Sequence, residues 1–240
     1  LPARTAHNSR ALHHGLNLGV NGYATGQEAA QYRAARPHLG ENVDTVVLVF
    51  YPNDAVLHDF RWDDRTASLY ADGLPVPQGL KPWLWRSALY RGLVSWHTAG
   101  LQARGELSVD LAHLPRVLEG LDQLAADVAA DGRRLVVTHL PGMLDLDPYP
   151  CVELVKQLGQ ACAERGLPFL DLLPAFLAER EREIGAYEAK TGEAVPAAVR
   201  RTYLSRFWVD PEGRDKHLSA IATEVAAQAL AAALDELLDR

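Results

Sequence analysis

The chain has 240 residues, 48% of them hydrophobic and 23% charged, enough for one sizeable core and composed for a globular fold rather than for disorder or collagen. Its formal charge of −7 and pI near 5.7 argue against nucleic acid or an anionic membrane as a main partner, since either favours a basic face. No apolar run approaches the length needed to cross a bilayer.

In chain order, short apolar runs alternate with helical patterns. Residues 16–20 (Leu-Asn-Leu-Gly-Val) predict a short strand and residues 25–35 a helix. Residues 45–50 are an unbroken β-branched and apolar run, the signature of a parallel strand buried on both faces, and they stop at Tyr51-Pro-Asn-Asp54. Residues 109–130 carry leucines at 111, 114, 118, 121 and 124 and predict an amphipathic helix. A strand over 134–140, a helix over 150–165, a strand over 168–173 and a last helix over 218–238 complete the alternation. Strands and helices in this order imply one α/β domain over 1–240, with a parallel sheet covered on both faces.

Two stretches break the alternation and are expected to be insertions. The first, about 55–105, holds Pro75, Pro77 and Pro82 with Trp62, Trp83, Trp85 and Trp96; the second, about 178–207, opens on the charged run 179–183. Trp85, Leu89, Leu93 and Trp96 share a helical spacing, which predicts packing beneath the insertion or an apolar wall for a substrate. Cys151 and Cys162 fall in one predicted helix, where 11 residues separate them by about 16 Å, too far for a disulfide.

Three places can carry chemistry. Asn53, at a strand's carboxyl end, offers two amide N–H donors where ligands bind in open α/β sheets. The glycines at 19, 22 and 26 do not follow G-x-G-x-x-G, and no Walker lysine follows them, so they read as a turn whose backbone N–H groups can face an anion. Asp215 and His217 lie just ahead of the last helix, at a spacing that lets the carboxylate take the imidazole Nδ1–H and leave Nε2 free as a base.

The phrase Asn17-Leu-Gly-Val-Asn-Gly-Tyr23, then a strand ending in Tyr-Pro-Asn-Asp54, then Asp215-Lys-His-Leu-Ser219 resembles the SGNH, or GDSL-type, hydrolases over nearly the whole chain. The resemblance implies a three-layer α/β/α flavodoxin-like sandwich and a serine ester hydrolase without metal or organic cofactor. It implies that Gly22 and Asn53 line the oxyanion hole, that His217 is the general base, and that Asp215 orients it. The implied substrate is a small-molecule, saccharide or lipid ester; the alternatives are an acyltransferase of the same family or a non-catalytic domain that binds a glycan or a partner.

Two departures stand out. Tyr51 occupies the place of a family glycine, and the Gly-Asp-Ser block that supplies the nucleophile does not occur in residues 1–240. Ser9 follows no apolar run, Ser68, Ser87, Ser95, Ser108 and Ser205 fall in insertions or helix starts, and Ser219 is placed to cap the last helix. In the strand order 2-1-3-4-5 the strand bearing the nucleophile is central, so losing it strands backbone groups at about 1–3 kcal/mol each. The nucleophile is therefore expected in a segment ahead of Leu1.

Other polar residues are expected to be structural. His13, His14 and the group His58, Asp59, Asp63 and Asp64 lack a spacing that closes a metal sphere. His139 ends a buried strand and predicts a satisfied core or rim histidine, and the charges at 179–183 predict pairs along a solvated helix.

Overall fold

The computed structural model describes residues 5, 15–19, 24–55, 61–63, 68–70, 80–84, 86–90, 92, 93, 96, 114–142, 149–202, 207 and 218–238. Strands β1 (Thr45–Phe50), β4 (Arg134–His139) and β5 (Phe169–Asp171) form a parallel sheet in the order β1-β4-β5. Strands β2 (Arg61–Asp63) and β3 (Ser68–Tyr70) pair antiparallel in a separate ribbon. The parallel register sets Phe50 beside His139 and His139 beside Asp171, so the three strands end level with one another.

The strand sequences explain the layers. Side chains alternate across a strand, so Leu48, Phe50, Leu135 and Val137 face one side and Val47, Val49 and Val136 the other. The first side packs on α1 (Thr25–Ala35), α2 (Leu114–Ala130) and α3 (Val152–Glu164), through Ala29, Tyr32, Leu121, Leu124, Leu154 and Leu158. The second packs on α4 (Leu173–Thr191) and α6 (Ala220–Leu238), through Phe176, Ala226, Leu230 and Leu234; the short α5 (Ala197–Thr202) lies between them in sequence. The result is the expected three-layer α/β/α sandwich, and β1-β4-β5 is the order of strands 3-4-5 in the flavodoxin-like arrangement.

Helix ends direct the chain back into the sheet. Helices α2 and α3 both stop at a glycine with positive φ, Gly132 at 70° and Gly166 at 65°, a conformation glycine adopts without steric cost. Ser219 caps α6 as its sequence position predicts, accepting the Ala222 N–H at 3.2 Å. The charged run at 179–183 continues the helix that begins at Leu173, and its Ile184 is buried in the core.

Helices α1 and α2 meet very closely. A Cβ on Gly120 would lie 2.6 Å from the Gly26 nitrogen and 2.9 Å from its Cα, so the crossing requires glycine. At the far end of the pair, Tyr32 donates to Asp131 at 2.7 Å and Arg133 donates to Tyr32 at 2.9 Å. Helix α1 thus runs from the carboxyl edge of the sheet to the amino edge.

Two expectations fail. Residues 16–19 form no strand: Leu16 is 65% exposed, and the Asn17 side chain accepts the Gly19 N–H at 2.9 Å. That local Asx bond diverts a backbone donor a ladder would need. Of the residues expected to pack beneath the first insertion, Leu89, Leu93 and Trp96 are exposed instead, and Trp85 lies outside the described residues.

Candidate functional site

The carboxyl edge of the sheet collects the polar groups. Beyond β1 the chain enters a 3₁₀ turn, Pro52–Ala55, which Asp54 closes from both sides. The Asp54 N–H donates to the Tyr51 carbonyl at 2.8 Å, and the Tyr51 N–H donates to Asp54 Oδ2 at 2.8 Å. Pro52 is buried and fixes φ, so the backbone of Asn53 is gripped on both flanks at the position its sequence predicts.

Glu28, in the first turn of α1, faces the same turn. Its Oε2 is buried without a hydrogen-bond partner, as are Thr25 Oγ1 and Gln27 Nε2 in the same turn of helix. Burial pushes the Glu28 carboxyl up to about 7. Burial also raises Asp54 well above the carboxylate range, and the Glu28 charge raises it further, against the opposing pull of the Tyr51 N–H. Two carboxyls in one poorly solvated place cannot both ionise cheaply.

Across the edge, β4 and β5 carry a second cluster. His139 has no exposed surface; its Nδ1 lies 2.7 Å from Asp171 Oδ1 and its Nε2 lies 3.1 Å from the Tyr149 hydroxyl. Asp171 Oδ1 also accepts the Leu173 N–H at 3.0 Å, and the Tyr149 oxygen accepts the Gly142 N–H at 3.0 Å. These partners assign the proton to Nδ1: Gly142 N–H donates to Tyr149, Tyr149 O–H to Nε2, and Nδ1–H to Asp171. Burial raises the Tyr149 phenol, so it stays a donor. The Asp–His pairing has the orientation of a catalytic dyad, but Tyr149 occupies the nitrogen a base would use. His139 is the satisfied histidine its sequence predicts, joining the ends of two strands to the segment ahead of α3.

Of the residues the resemblance singles out, Asn53 is placed by its backbone at the end of β1. Gly22, Asp215 and His217 lie outside the described residues, as do His13, His14, His58, Asp59 and Asp64. The described residues that follow Gly22 and His217 most closely in the chain are Ala24 and Leu218. Leu218, directly after His217, packs on the core cluster that holds Leu140, Tyr149 and Leu172 and that Tyr51 also touches. Ser219 fixes the same point, donating its N–H to the Phe207 carbonyl at 2.8 Å. The first turn of α1, three residues past Gly22, lies beside Asp54 through Glu28.

The Glu28–Asp54 pair was not legible in sequence: the two residues are 26 positions apart, on a helix and a strand end with no shared motif. Cys151 and Cys162 are buried free thiols, both pushed up by burial, Cys162 to about 11, which makes them poor nucleophiles. Among the described residues no three His, Cys, Asp or Glu side chains gather as metal ligands. No protein-family model, no curated protein and no solved structure matches this chain.

Proposed function

We propose that this chain is an ester hydrolase of the SGNH type, which cleaves a carboxylic ester through an acyl-enzyme. Three placements support the reading: the turn holding Asn53 ends β1, Glu28 of the helix that follows Gly22 acts on Asp54 of that turn, and Leu218, next to His217, packs on the cluster that holds Leu140 and Tyr149.

In this reading His217 Nε2 takes the proton of a serine hydroxyl as that oxygen attacks the ester carbonyl. Asp215 accepts the Nδ1–H, holds the tautomer and stabilises the imidazolium. The tetrahedral oxyanion is bound by the Gly22 N–H, the Asn53 amide and the N–H of the serine itself. Collapse expels the alcohol, which receives the proton from His217, and water repeats the cycle to release the acid. The rigid turn around Asn53 suits this role, because an oxyanion donor acts only when it is held in place before charge develops.

The nucleophile is the part that residues 1–240 do not supply as Gly-Asp-Ser, so the test starts with the coding sequence ahead of Leu1. With a Gly-Asp-Ser block found and included, the protein hydrolyses a short-chain aryl ester and His217→Ala abolishes turnover. Asn53→Ala lowers turnover about a hundredfold or more, the loss expected for one oxyanion donor worth about 2.7–4 kcal/mol. Turnover by Asn53→Ala within about threefold of the parent removes Asn53 from the site. Absence of the block together with absence of turnover overturns the hydrolase reading in favour of a binding domain.

A further inference from the structure

Five of the ten large hydrophobic residues exposed among the described residues fall between positions 80 and 96. Leu89, Leu93 and Trp96 follow one another at i, i+4 and i+7, the spacing of one helix face, and each lies on helical backbone. Trp83 and Leu80 sit one helical turn apart just before them. Leu89 is 84% exposed, Trp96 74% and Trp83 72%, while Tyr90 is buried and anchors the segment to the body. Large apolar residues gathered in water mark a contact surface.

The charge pattern says what the surface contacts. Residues 73–105 contain Lys81, Arg86, Arg91 and Arg104 and no acidic residue, whereas the rest of the chain holds 20 basic and 31 acidic residues. The whole-chain charge of −7 therefore averages a +4 segment with a −11 remainder. Tryptophan and leucine beside lysine and arginine, without acids, is the composition of segments that lie in a lipid headgroup layer. No helix of the described residues is long and apolar enough to cross a membrane, so the contact lies on the surface. Two copies meeting patch to patch would bring like charges together.

We propose that the exposed side chains of Leu80, Trp83, Leu89, Leu93 and Trp96 dock this segment on an anionic lipid bilayer. The chain leaves β1 at Ala55 and re-enters the sandwich at Leu114, where α2 packs on the Ala55 turn, so the connection that bears this segment departs from and returns to the carboxyl edge. The inference stands whether or not the chain is a hydrolase.

The test is co-sedimentation of the full chain with vesicles of phosphatidylcholine alone and of phosphatidylcholine mixed with phosphatidylglycerol. Binding is expected on the anionic vesicles, with a blue shift of tryptophan emission, and falls steeply in about 0.5 M salt as the headgroup charge is screened. Each basic residue near the surface strengthens partitioning about fivefold. Trp83→Ser combined with Trp96→Ser lowers partitioning about tenfold or more at an unchanged melting temperature, because both side chains are exposed. No binding to anionic vesicles overturns the proposal, and so does equal binding to both vesicle types. A dimer that the double substitution dissolves, without vesicle binding, assigns the segment to a second copy instead.

Discussion

Two polar clusters sit at the same edge of the sheet and are built on opposite terms. Around His139 each donor has an acceptor: Gly142 N–H, Tyr149 O–H, the imidazole and Asp171 form a relay, and Asp171 also accepts the Leu173 N–H. Around Glu28 and Asp54 two carboxyls share one place with few donors, and Glu28 Oε2 has none. A buried polar group supplied with partners becomes a structural joint. One left short of them gives up its charge, and its pKa moves instead.

The largest effect that sharpens this contrast is on the closed side. His139→Ala deletes the centre of the relay, opens a cavity and strands Asp171 and Tyr149, at a cost of about 3–5 kcal/mol in chemical denaturation. A loss below about 1 kcal/mol would show that the relay is decorative. Tyr149→Phe leaves the ring volume but orphans His139 Nε2 and the Gly142 N–H, and costs about 1–3 kcal/mol by the same measurement.

On the open side the effect is smaller and has the opposite sign. A carboxyl whose pKa rises on folding binds more protons in the native than in the unfolded state, so stability falls as pH rises. For Glu28 the window runs from its ordinary 4.5 to about 7, and Asp54 acts in the same direction. Glu28→Gln removes its part of the slope and gains about 1 kcal/mol at pH 8. Denaturation midpoints measured at pH 5 and pH 8 check this, and parallel pH profiles for parent and variant would refute the buried pair.

Much of the frame was legible in the sequence. The run 45–50 became β1 with its predicted bounds, and the leucine periodicity from 114 onward became α2. His139 is satisfied as its position beside a proline turn suggests, yet its partner Asp171 is 32 residues away and belongs to another strand. The motifs that carry the resemblance were equally legible as residues, and of them the backbone of Asn53 is placed at the end of β1. Residues 16–19 show the reverse case: an apolar pattern suited to a strand lost its donor to the Asn17 side chain.

The exposed apolar residues at 80–96 make the same point from the surface. Their spacing is helical, and from spacing alone a buried stripe and a docking stripe look identical. Periodicity reports which residues share a side of a helix or strand, because that follows from φ and ψ along the local chain. Whether that side meets a core or water, and whether a buried carboxyl meets a donor or another carboxyl, depends on groups brought in from distant parts of the chain. The sequence by itself determined the layers, the strands β1 and β4 and the turn at Asn53; the tertiary structure decided the relay at His139, the acid pair at Glu28 and Asp54, and the apolar residues left in water.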